Sequence, residues 1–384
     1  MVTRKKMIVA VIATFIITAV VVGIFSFTAA NAFSEKRDNN DGIEEIEAVN
    51  ALINETFYKD VDSETLITSA IDGMMESLED PYSTYYDKQE WVNFLKDQQG
   101  EYTGIGVQVT FDEEVGGVNV TRVFEESPAY AAGILEGDII IGADGESFKD
   151  FEYMDIVNAI RGEPDTVVAV EVLRGEETLD FDIVRKVVFA DQAYYVMLED
   201  DIGYLELYSF TGNALELFKD AKDYFVSYEA KGIIIDLRNN PGGDLYKVTE
   251  MLDILLPEGK LIITRDRQGN ESTLESGKSA WDIPLVVLVN EFSASASELF
   301  SIAIQDYERG PIVGETTFGK GVVQSITPLD NGDTGVKITT SEYFSPLGRS
   351  INESGVYPDY YIADEDMLDD DDPQMDKAIE LLLG

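Results

Sequence analysis

The residues best suited to chemistry are the serines of EFSASASELF, Ser293, Ser295 and Ser297, and the lysine of ETTFGKGVVQ, Lys320. A serine hydroxyl becomes a nucleophile at neutral pH when a base accepts its proton, and the usual bases are histidine and a desolvated lysine. The chain contains no histidine and no cysteine, which excludes Ser-His-Asp triads, cysteine nucleophiles and zinc sites built on those ligands. Any acyl transfer would therefore use a serine with a lysine or with a bare carboxylate.

The three serines follow an apolar run, PLVVLVN, that is typical of a buried strand. We expect this strand to turn into a helix at the serines, at the carboxyl end of a sheet where ligand sites collect. A helix N-terminus offers free N–H groups to an oxyanion, and the Ala296 N–H is a candidate donor. Position alone does not separate Ser293, Ser295 and Ser297, and one of them is expected to cap the helix.

A second apolar run, at residues 232–235, leads into DLRNNPGG, which ends in Gly242 and Gly243. Paired glycines after a buried strand let backbone N–H groups approach a ligand closely, so one of them could complete an oxyanion hole with Ala296. An ordinary β-turn would also use Asn-Pro-Gly-Gly. Both interpretations remain open from the residues alone.

The third segment, residues 314–320, matches the G-x-x-x-x-G-K pattern of a phosphate-binding loop. The match fails because Gly321 stands where Ser or Thr should bind magnesium, and because the following GVVQSITPL predicts a strand instead of a helix. We expect instead that Lys320 points into an apolar pocket, where desolvation lowers its pKa and makes it a usable base. Gln324, on the same segment, would orient it by hydrogen bonding.

The charge balance excludes several classes of partner. The 28 Lys and Arg against 74 Asp and Glu give a net charge of −46, which argues against nucleic-acid binding and against electrostatic docking to anionic lipid. At 384 residues the chain is long enough for two or three domains. No residue pattern implies a metal or another cofactor.

The N-terminus predicts export. Arg4, Lys5 and Lys6 precede an uncharged run at residues 7–30 that is long enough to cross a bilayer, so residues 1–32 are predicted to be a single-pass signal anchor with the rest of the chain extracytoplasmic. The alternative is a signal peptide cleaved near Ala32, which would release a secreted protein. Residues 33–42 are polar and predict a linker.

Residues 43–98 show apolar positions at helical spacing, with Asp62 or Ser63 as a candidate N-cap. This helical region is interpreted either as a small domain or as a homodimerisation arm, and both interpretations remain open.

Residues 99–188 change to short β-runs with two short helices, at about 128–132 and 153–160, which is typical of a partly open β-barrel. In a glycine loop before a strand, backbone N–H groups could hold a chain-terminal carboxylate, and an extended peptide could add beside that strand. The loop consists of Gly104, Ile105, Gly106 and Val107. With SPAYAAGILEGDIIIGADG and AIRG, the stretch resembles a PDZ domain.

Residues 189–364 alternate strands and helices, which predicts an α/β core with strands buried on both faces. Residues 365–384 predict an acidic linker and a C-terminal helix. The expected fold class is therefore multidomain α/β (α+β overall), with a PDZ-like partly open barrel inserted beside an α/β core and a helical segment before it.

The ordered motifs YKDVDSETL, SLEDPYSTYY, DLRNNPGG, SASASE, GETTFGKGVVQ, ITTSEYFSPLGRSI and GVYPD resemble the carboxyl-terminal processing proteases, also called tail-specific proteases. The resemblance covers about 300 residues from Tyr58 onward. It implies that Ser295 is the nucleophile, Lys320 the base and Gln324 its orienting residue. It also implies an oxyanion hole at Ala296 N–H and at one of the two glycines.

The resemblance further implies an exported serine endopeptidase with a Ser-Lys dyad that binds proteins with apolar C-termini and cleaves near those termini. Arg161, in AIRG, could couple the PDZ-like region to the core, or it could form a local ion pair. A regulatory partner protein is also conceivable. The alternative function is an exported PDZ scaffold with a catalytically silent core.

Overall fold

The structure is a computed structural model, and it describes residues 40–384 except 113–114, 125–126, 150, 152, 176, 190, 278–279, 330–331 and 364–371. The expected signal anchor at residues 1–32 and most of the expected linker at 33–42 lie outside the described residues. Within the described part, no helix is both long and apolar enough to span a membrane. The described residues fall into two compact units, one that ends at Glu79 and one that spans Asp80–Gly384.

The first unit contains helices α1 (Asn40–Thr56) and α2 (Ser63–Glu76). Asp62 caps α2, because its carboxylate accepts hydrogen bonds from the N–H groups of the first turn. The apolar side chains lie largely in solvent: Ile46 is 52% exposed, Leu52 58%, Ile67 53% and Met74 63%. We call these side chains the apolar stripe of α1 and α2, and the described residues of this unit leave it exposed.

The central sheet of the second unit is the expected α/β core. Its strands run in the order β10 (Ala193–Met197), β11 (Ile202–Leu207), β12 (Gly232–Asp236), β15 (Leu285–Val289), β16 (Ile312–Gly314) and β19 (Tyr360–Tyr361). β10 is antiparallel to β11, and the other pairs are parallel. Every residue of β12 and β15 is buried, as the continuous apolar runs predict.

Helices cover both faces of this sheet. Side chains such as Ile233 and Val287 pack on one face against α6 (Ala214–Ser227), α7 (Leu245–Leu255) and α8 (Ala296–Asp306). Ile234 and Val286, which point the other way, pack against Ala378 of α9 (Pro373–Leu383). The predicted C-terminal helix is confirmed, and it completes the second layer of the core.

A second sheet lies beside the core and carries the segment after Lys320. β18 (Thr334–Phe344) pairs with β17 (Val322–Leu329), β1 (Thr84–Tyr86) and β13 (Gly259–Asp266), and β13 pairs with β14 (Glu271–Ser276). Helix α3 (Lys88–Gln98) packs on this sheet through Trp91. A Cβ at Gly335 would lie 2.2 Å from the Trp91 ring, so that position requires glycine.

The PDZ-like domain has its own sheet and core. Its strands run in the order β3 (Val107–Asp112), β4 (Gly117–Val123), β5 (Ile139–Ala143), β7 (Val167–Arg174) and β8 (Glu177–Val184), with β6 (Glu146–Ser147) paired to β5. The two expected helices are α4 (Pro128–Ala132) and α5 (Tyr153–Ile160). A ribbon of β2 (Glu101–Gly104) and β9 (Lys186–Phe189) leads the chain into and out of the domain. The expected fold class is confirmed.

Candidate active site

Ser295 occupies a strained turn between β15 and α8. Its backbone angles are φ 56° and ψ −109°, a conformation that non-glycine residues rarely adopt and that costs about 1–3 kcal/mol. Its N–H donates to Oε2 of Glu298 at 2.7 Å. The turn therefore holds Ser295 at the carboxyl end of a buried strand and at the start of a helix.

The surroundings of the three serines differ. Ser293 is fully buried and its hydroxyl donates to the Leu237 carbonyl at 2.7 Å. Ser297 is also fully buried and its hydroxyl donates to the Asn240 carbonyl at 2.9 Å. Ser295 is half-buried and lines a cavity of about 360 Å³. The structure thus separates three serines that the sequence pattern leaves equivalent.

The same cavity brings several predicted site residues together. Ala296, Gly243, Lys320 and Gln324 line it with Ser295. Its other walls are partly apolar and include Leu245, Leu299 and Ile326. An extended peptide beside Ser295 would therefore meet both polar donors and hydrophobic surface.

Lys320 lies on the turn between β16 and β17, as expected, and its side chain is half-buried. Its Nζ lies 4.6 Å from the centre of the Tyr82 ring. Burial lowers the pKa of Lys320 and the positive charge of Lys337 adds to this effect, while Asp80 and Glu298 oppose it. The balance favours the neutral amine more than in free lysine, which is what a general base requires.

Glu298 joins the serine helix to the lysine turn. Its buried carboxylate accepts hydrogen bonds from the N–H groups of Ser295 (2.7 Å), Gly319 (2.6 Å) and Lys320 (2.9 Å) and from Oγ1 of Thr317 (2.7 Å). Burial raises the pKa of Glu298, and these hydrogen bonds oppose that effect. The sequence reasoning missed this role, although a glutamate three residues after a helix-capping serine is the pattern of a capping box.

Tyr343, on β18, supports the same two backbone segments from the other side. Its buried hydroxyl donates to the Lys320 carbonyl and lies 3.1 Å from the Ser295 carbonyl. Nothing in the spacing of the sequence connects this tyrosine to the serine or the lysine. Tyr343 reaches the site because β18 brings its hydroxyl to the carbonyls of Ser295 and Lys320.

The two glycines of DLRNNPGG differ in whether their backbone N–H groups are already hydrogen-bonded. The Gly242 N–H donates to Oδ1 of Asn240 at 2.9 Å, whereas no acceptor for the Gly243 N–H is found among the described residues. Gly243 also lines the cavity, as does Ala296. Gly242 lies against the turn that carries Ser295, since a Cβ on it would be 2.8 Å from the Ala296 nitrogen. The geometry thus favours Gly243 as the second oxyanion donor.

The DLRNNPGG loop is anchored on both sides of the core sheet. The partly buried Arg238 guanidinium contacts Asp236 at 2.6 Å and Asp372, beside α9, at 2.9 Å. The Asn239 N–H donates to Oδ1 of Asn290, which lies just after β15. The C-terminal helix is therefore connected to the loop that carries the glycines.

Gln324, on β17, lines the cavity, but its amide Nε2 donates to Thr339 Oγ1 at 3.2 Å and to the Val322 carbonyl at 3.5 Å. In the described part of the chain no hydrogen bond joins Gln324 to Lys320. Orientation of the lysine by this glutamine stays a prediction.

The glycine loop of the PDZ-like domain lies between β2, which ends at Gly104, and β3, which begins at Val107. Ile105 is buried, and its carbonyl accepts a hydrogen bond from the Ala129 N–H. Gly106 has φ 82°, and a Cβ there would lie 2.3 Å from Cβ of Ser127, so only glycine fits. β3 stands at the end of the strand order of its sheet.

Arg161 follows α5, and its Nη1 lies 3.7 Å from Oδ2 of Asp97 on α3. Burial raises the pKa of Asp97, and Arg161 opposes that effect. The next residue along α3, Gln98, lines the cavity beside Ser295. Arg161 thus contacts a helix that reaches the candidate active site, which is the arrangement that coupling between the domains would need.

No group of three or more His, Cys, Asp and Glu side chains suited to a metal ion is found in the described residues. The arrangement around Ser295 instead combines a hydroxyl, an amine with a lowered pKa and two N–H donors in one cavity. Such a set is able to perform acyl transfer through a covalent intermediate.

Three family models match the chain. The "Activating protease CtpB N-terminal domain" matches residues 7–90, the PDZ domain matches residues 92–173, and peptidase family S41 matches residues 201–362. The last match contains Ser295, Lys320 and the DLRNNPGG loop.

Similar proteins and structures agree with these matches. A protein of Staphylococcus aureus (strain COL) named "Probable CtpA-like serine protease" is 32% identical over 364 residues, which are 94% of this chain and 73% of that protein. A protein of the same name from Staphylococcus saprophyticus is 30% identical over 365 residues, with 93% and 73% covered. The solved structure of a photosystem II D1 C-terminal processing protease has a TM-score of 0.55 at 27% identity and covers 84% of this chain and 92% of its own.

Proposed function

Because the chain belongs to peptidase family S41 and to its C-terminal processing serine proteases, we propose that it hydrolyses peptide bonds near protein C-termini with Ser295 as nucleophile and Lys320 as base. The observation that carries the proposal is the shared cavity: Ser295 lines it from a strained turn, and Lys320 lines it with a lowered pKa. Two buried serines beside Ser295 have their hydroxyls bound to backbone carbonyls.

In the proposed acylation step, neutral Lys320 takes the Ser295 proton while Oγ attacks the scissile carbonyl. The oxyanion that forms accepts hydrogen bonds from the N–H groups of Ala296 and Gly243. The Lys320 ammonium then gives its proton to the leaving amine, and an acyl-enzyme remains. Neutral Lys320 then deprotonates a water that attacks the acyl carbonyl, and the ammonium returns this proton to Oγ of Ser295 as the ester bond breaks. In this scheme Oε1 of Gln324 orients Lys320 by accepting a hydrogen bond from Nζ, while Nε2 of Gln324 stays bound to Thr339.

We propose that the loop of Gly104, Ile105, Gly106 and Val107 binds an apolar C-terminus of the substrate, and that β3 accepts its last residues as an added strand. Arg161 would then report occupancy of this loop to α3 through Asp97. The proximity of Gly104 to the Arg161 side chain supports this path: a Cβ added to Gly104 would lie 4.0 Å from Cγ of Arg161.

We further propose that residues 1–32 anchor the protein in the cell membrane and that the catalytic region is extracytoplasmic; cleavage near Ala32 would release it instead. The exposed apolar stripe of α1 and α2 supports a homodimer through these helices. A regulatory protein that acts on the PDZ-like domain fits the same scheme.

The test is cleavage of an unfolded substrate with an apolar C-terminal tail by the purified full-length protein, followed by mass analysis of the products. Ser295→Ala and Lys320→Met are the inactive variants, and a substrate whose tail ends in two aspartates is the matched control. We expect cleavage of the apolar-tailed substrate by the wild type alone. Equal cleavage by all three proteins would overturn the proposal, and absence of cleavage by the wild type would favour the silent PDZ scaffold.

A further inference from the structure

Tyr82 covers the amine of Lys320. The centre of its ring lies 4.6 Å from Nζ, within the range of about 6 Å in which an aromatic face attracts a cation. The tyrosine comes from the segment DPYSTYY, which is remote in sequence from the lysine turn. The Ser295 and Lys320 mechanism assigns no role to this segment.

Hydrogen bonds hold this segment against β18. Asp80 accepts hydrogen bonds from the Tyr82 N–H at 3.2 Å and from the Ser83 hydroxyl at 2.5 Å. The Ser83 hydroxyl in turn accepts the Thr339 N–H of β18 at 3.0 Å, and β1 pairs with β18 directly after it. The ring therefore has a defined position relative to Lys320.

Charged groups from three segments of the described chain act on the Lys320 amine, and Tyr343 contacts its carbonyl. Asp80 precedes β1, Glu298 lies on α8, and Lys337 and Tyr343 lie on β18. Burial raises the pKa of Tyr82, with Glu298 and Asp80 adding to that effect, so its ring remains a neutral phenol. Burial disfavours the Asp80 carboxylate, but hydrogen bonds from Ser83 and Thr339 outweigh it and lower the pKa of Asp80.

An aromatic face distinguishes the two protonation states of an amine. It attracts an ammonium but gains little from a neutral amine, while its apolar surface excludes water from both. In the proposed reaction Lys320 is neutral before the attack and becomes an ammonium as Ser295 loses its proton. An interaction that strengthens at that moment lowers the barrier.

We propose that Tyr82 is a positioning residue for Lys320. The Tyr82 ring excludes water from the neutral Lys320 amine and stabilises the ammonium that forms when Ser295 attacks. The inference rests on the proposed Ser295 and Lys320 mechanism. The π face performs the role, and the hydroxyl is not required. Asp80 assists, because its hydrogen bonds hold the Tyr82 backbone and its charge favours the ammonium.

The experiment measures kcat and its pH dependence for peptide cleavage by Tyr82→Phe and Tyr82→Leu. The leucine keeps an apolar cover but has no π face. We therefore expect its kcat to fall about tenfold and the acidic limb of its profile to move to lower pH by roughly half to one unit. Tyr82→Phe keeps the acidic limb of the wild type and most of its rate. Tyr82→Met is a second variant without a ring, for use if Tyr82→Leu does not fold.

Tyr85→Leu is the matched control, because Tyr85 lies on the same segment and no contact of its ring with Lys320 is found in the described residues. The inference is overturned if Tyr82→Leu behaves like Tyr85→Leu, if Tyr82→Phe loses as much as Tyr82→Leu, or if kcat falls without movement of the acidic limb. Ser295→Ala and Lys320→Met in the same assay separate the two proposals. If both are inactive while Tyr82→Leu resembles the wild type, the inference fails alone, and if either cleaves, the proposed function fails.

Discussion

Ser295 and Lys320 donate their backbone N–H groups to one and the same carboxylate oxygen, Oε2 of Glu298, at 2.7 and 2.9 Å. The candidate nucleophile and base belong to different segments, the turn before α8 and the turn after β16. A single buried oxygen therefore fixes the distance between two segments that are remote in sequence. Tyr343 contacts the carbonyls of the same two residues from β18.

Replacement of Glu298 by glutamine should impair catalysis strongly, although the two side chains have nearly the same size. One oxygen becomes an NH₂ group that faces N–H donors, so the lysine turn shifts relative to Ser295. A misplacement of about 1 Å lowers kcat by roughly 100-fold, and unpaired buried donors cost about 1–3 kcal/mol of unfolding free energy. Peptide cleavage and denaturant unfolding measure the two effects. Glu291→Gln, at an exposed position of the same turn, should leave both unchanged; equal behaviour of the two variants would contradict the assigned role.

The three serines should separate into one catalytic and two structural residues. Ser293→Ala leaves the Asn290 N–H without its acceptor and removes one donor from the Leu237 carbonyl, which keeps the Asn240 N–H. We therefore expect a loss of about 1–3 kcal/mol in unfolding free energy. Ser297→Ala should behave similarly, and both variants should keep measurable cleavage. Ser295→Ala should abolish cleavage while its stability stays close to that of the wild type. A stable Ser293→Ala protein without activity would contradict this division.

Gly242 should tolerate no side chain. A Cβ there would lie 2.6 Å from the Ala294 carbonyl and 2.9 Å from Cβ of Ser295, at φ 101°. Gly242→Ala should therefore displace the turn that carries Ser295 and lower kcat at least about 100-fold. Gly269→Ala is the control, because Gly269 also has positive φ (83°) but open space around it, so it costs only about 1 kcal/mol of backbone strain. Similar kcat values for the two variants would show that the contact with Ser295 is unimportant.

The charge of Lys337 should set part of the pH dependence. Its positive charge lowers the pKa of Lys320. In the proposed mechanism cleavage rises as the pH passes that pKa, because the neutral amine acts as the base. Lys337→Met removes the repulsion, so the pKa of Lys320 rises and the acidic limb of kcat should move up by roughly half to one unit. Lys260→Met, on an exposed part of β13, should leave the limb in place. A shift of the acidic limb of Lys337→Met to lower pH would contradict this prediction.

The sequence was sufficient to predict the two central strands of the core. Continuous apolar runs identified β12 and β15 as buried on both faces, and the absence of histidine and cysteine directed attention to a lysine as the base. Both predictions depend only on local composition and periodicity, which can be read directly from the sequence.

Contacts between distant segments were not predictable in the same way. Asn240 binds the Gly242 N–H, which distinguishes the two glycines, and Gln324 binds Thr339 on the neighbouring strand. Tyr82 reaches Lys320 because β1 pairs with β18. Each of these contacts depends on strand register and on which side chain faces the cavity, and neither is encoded in local spacing.

The central claim is that Lys320 activates Ser295, and covalent labelling tests it most directly. A peptide phosphonate diester with an apolar residue next to phosphorus reacts with activated serines and leaves a stable adduct. Peptide mass spectrometry of the labelled protein should place the adduct on Ser295 in the wild type, and Lys320→Met should label at least about 100-fold more slowly. An adduct on Ser293 or Ser297, or labelling of Lys320→Met at the wild-type rate, would contradict the claim.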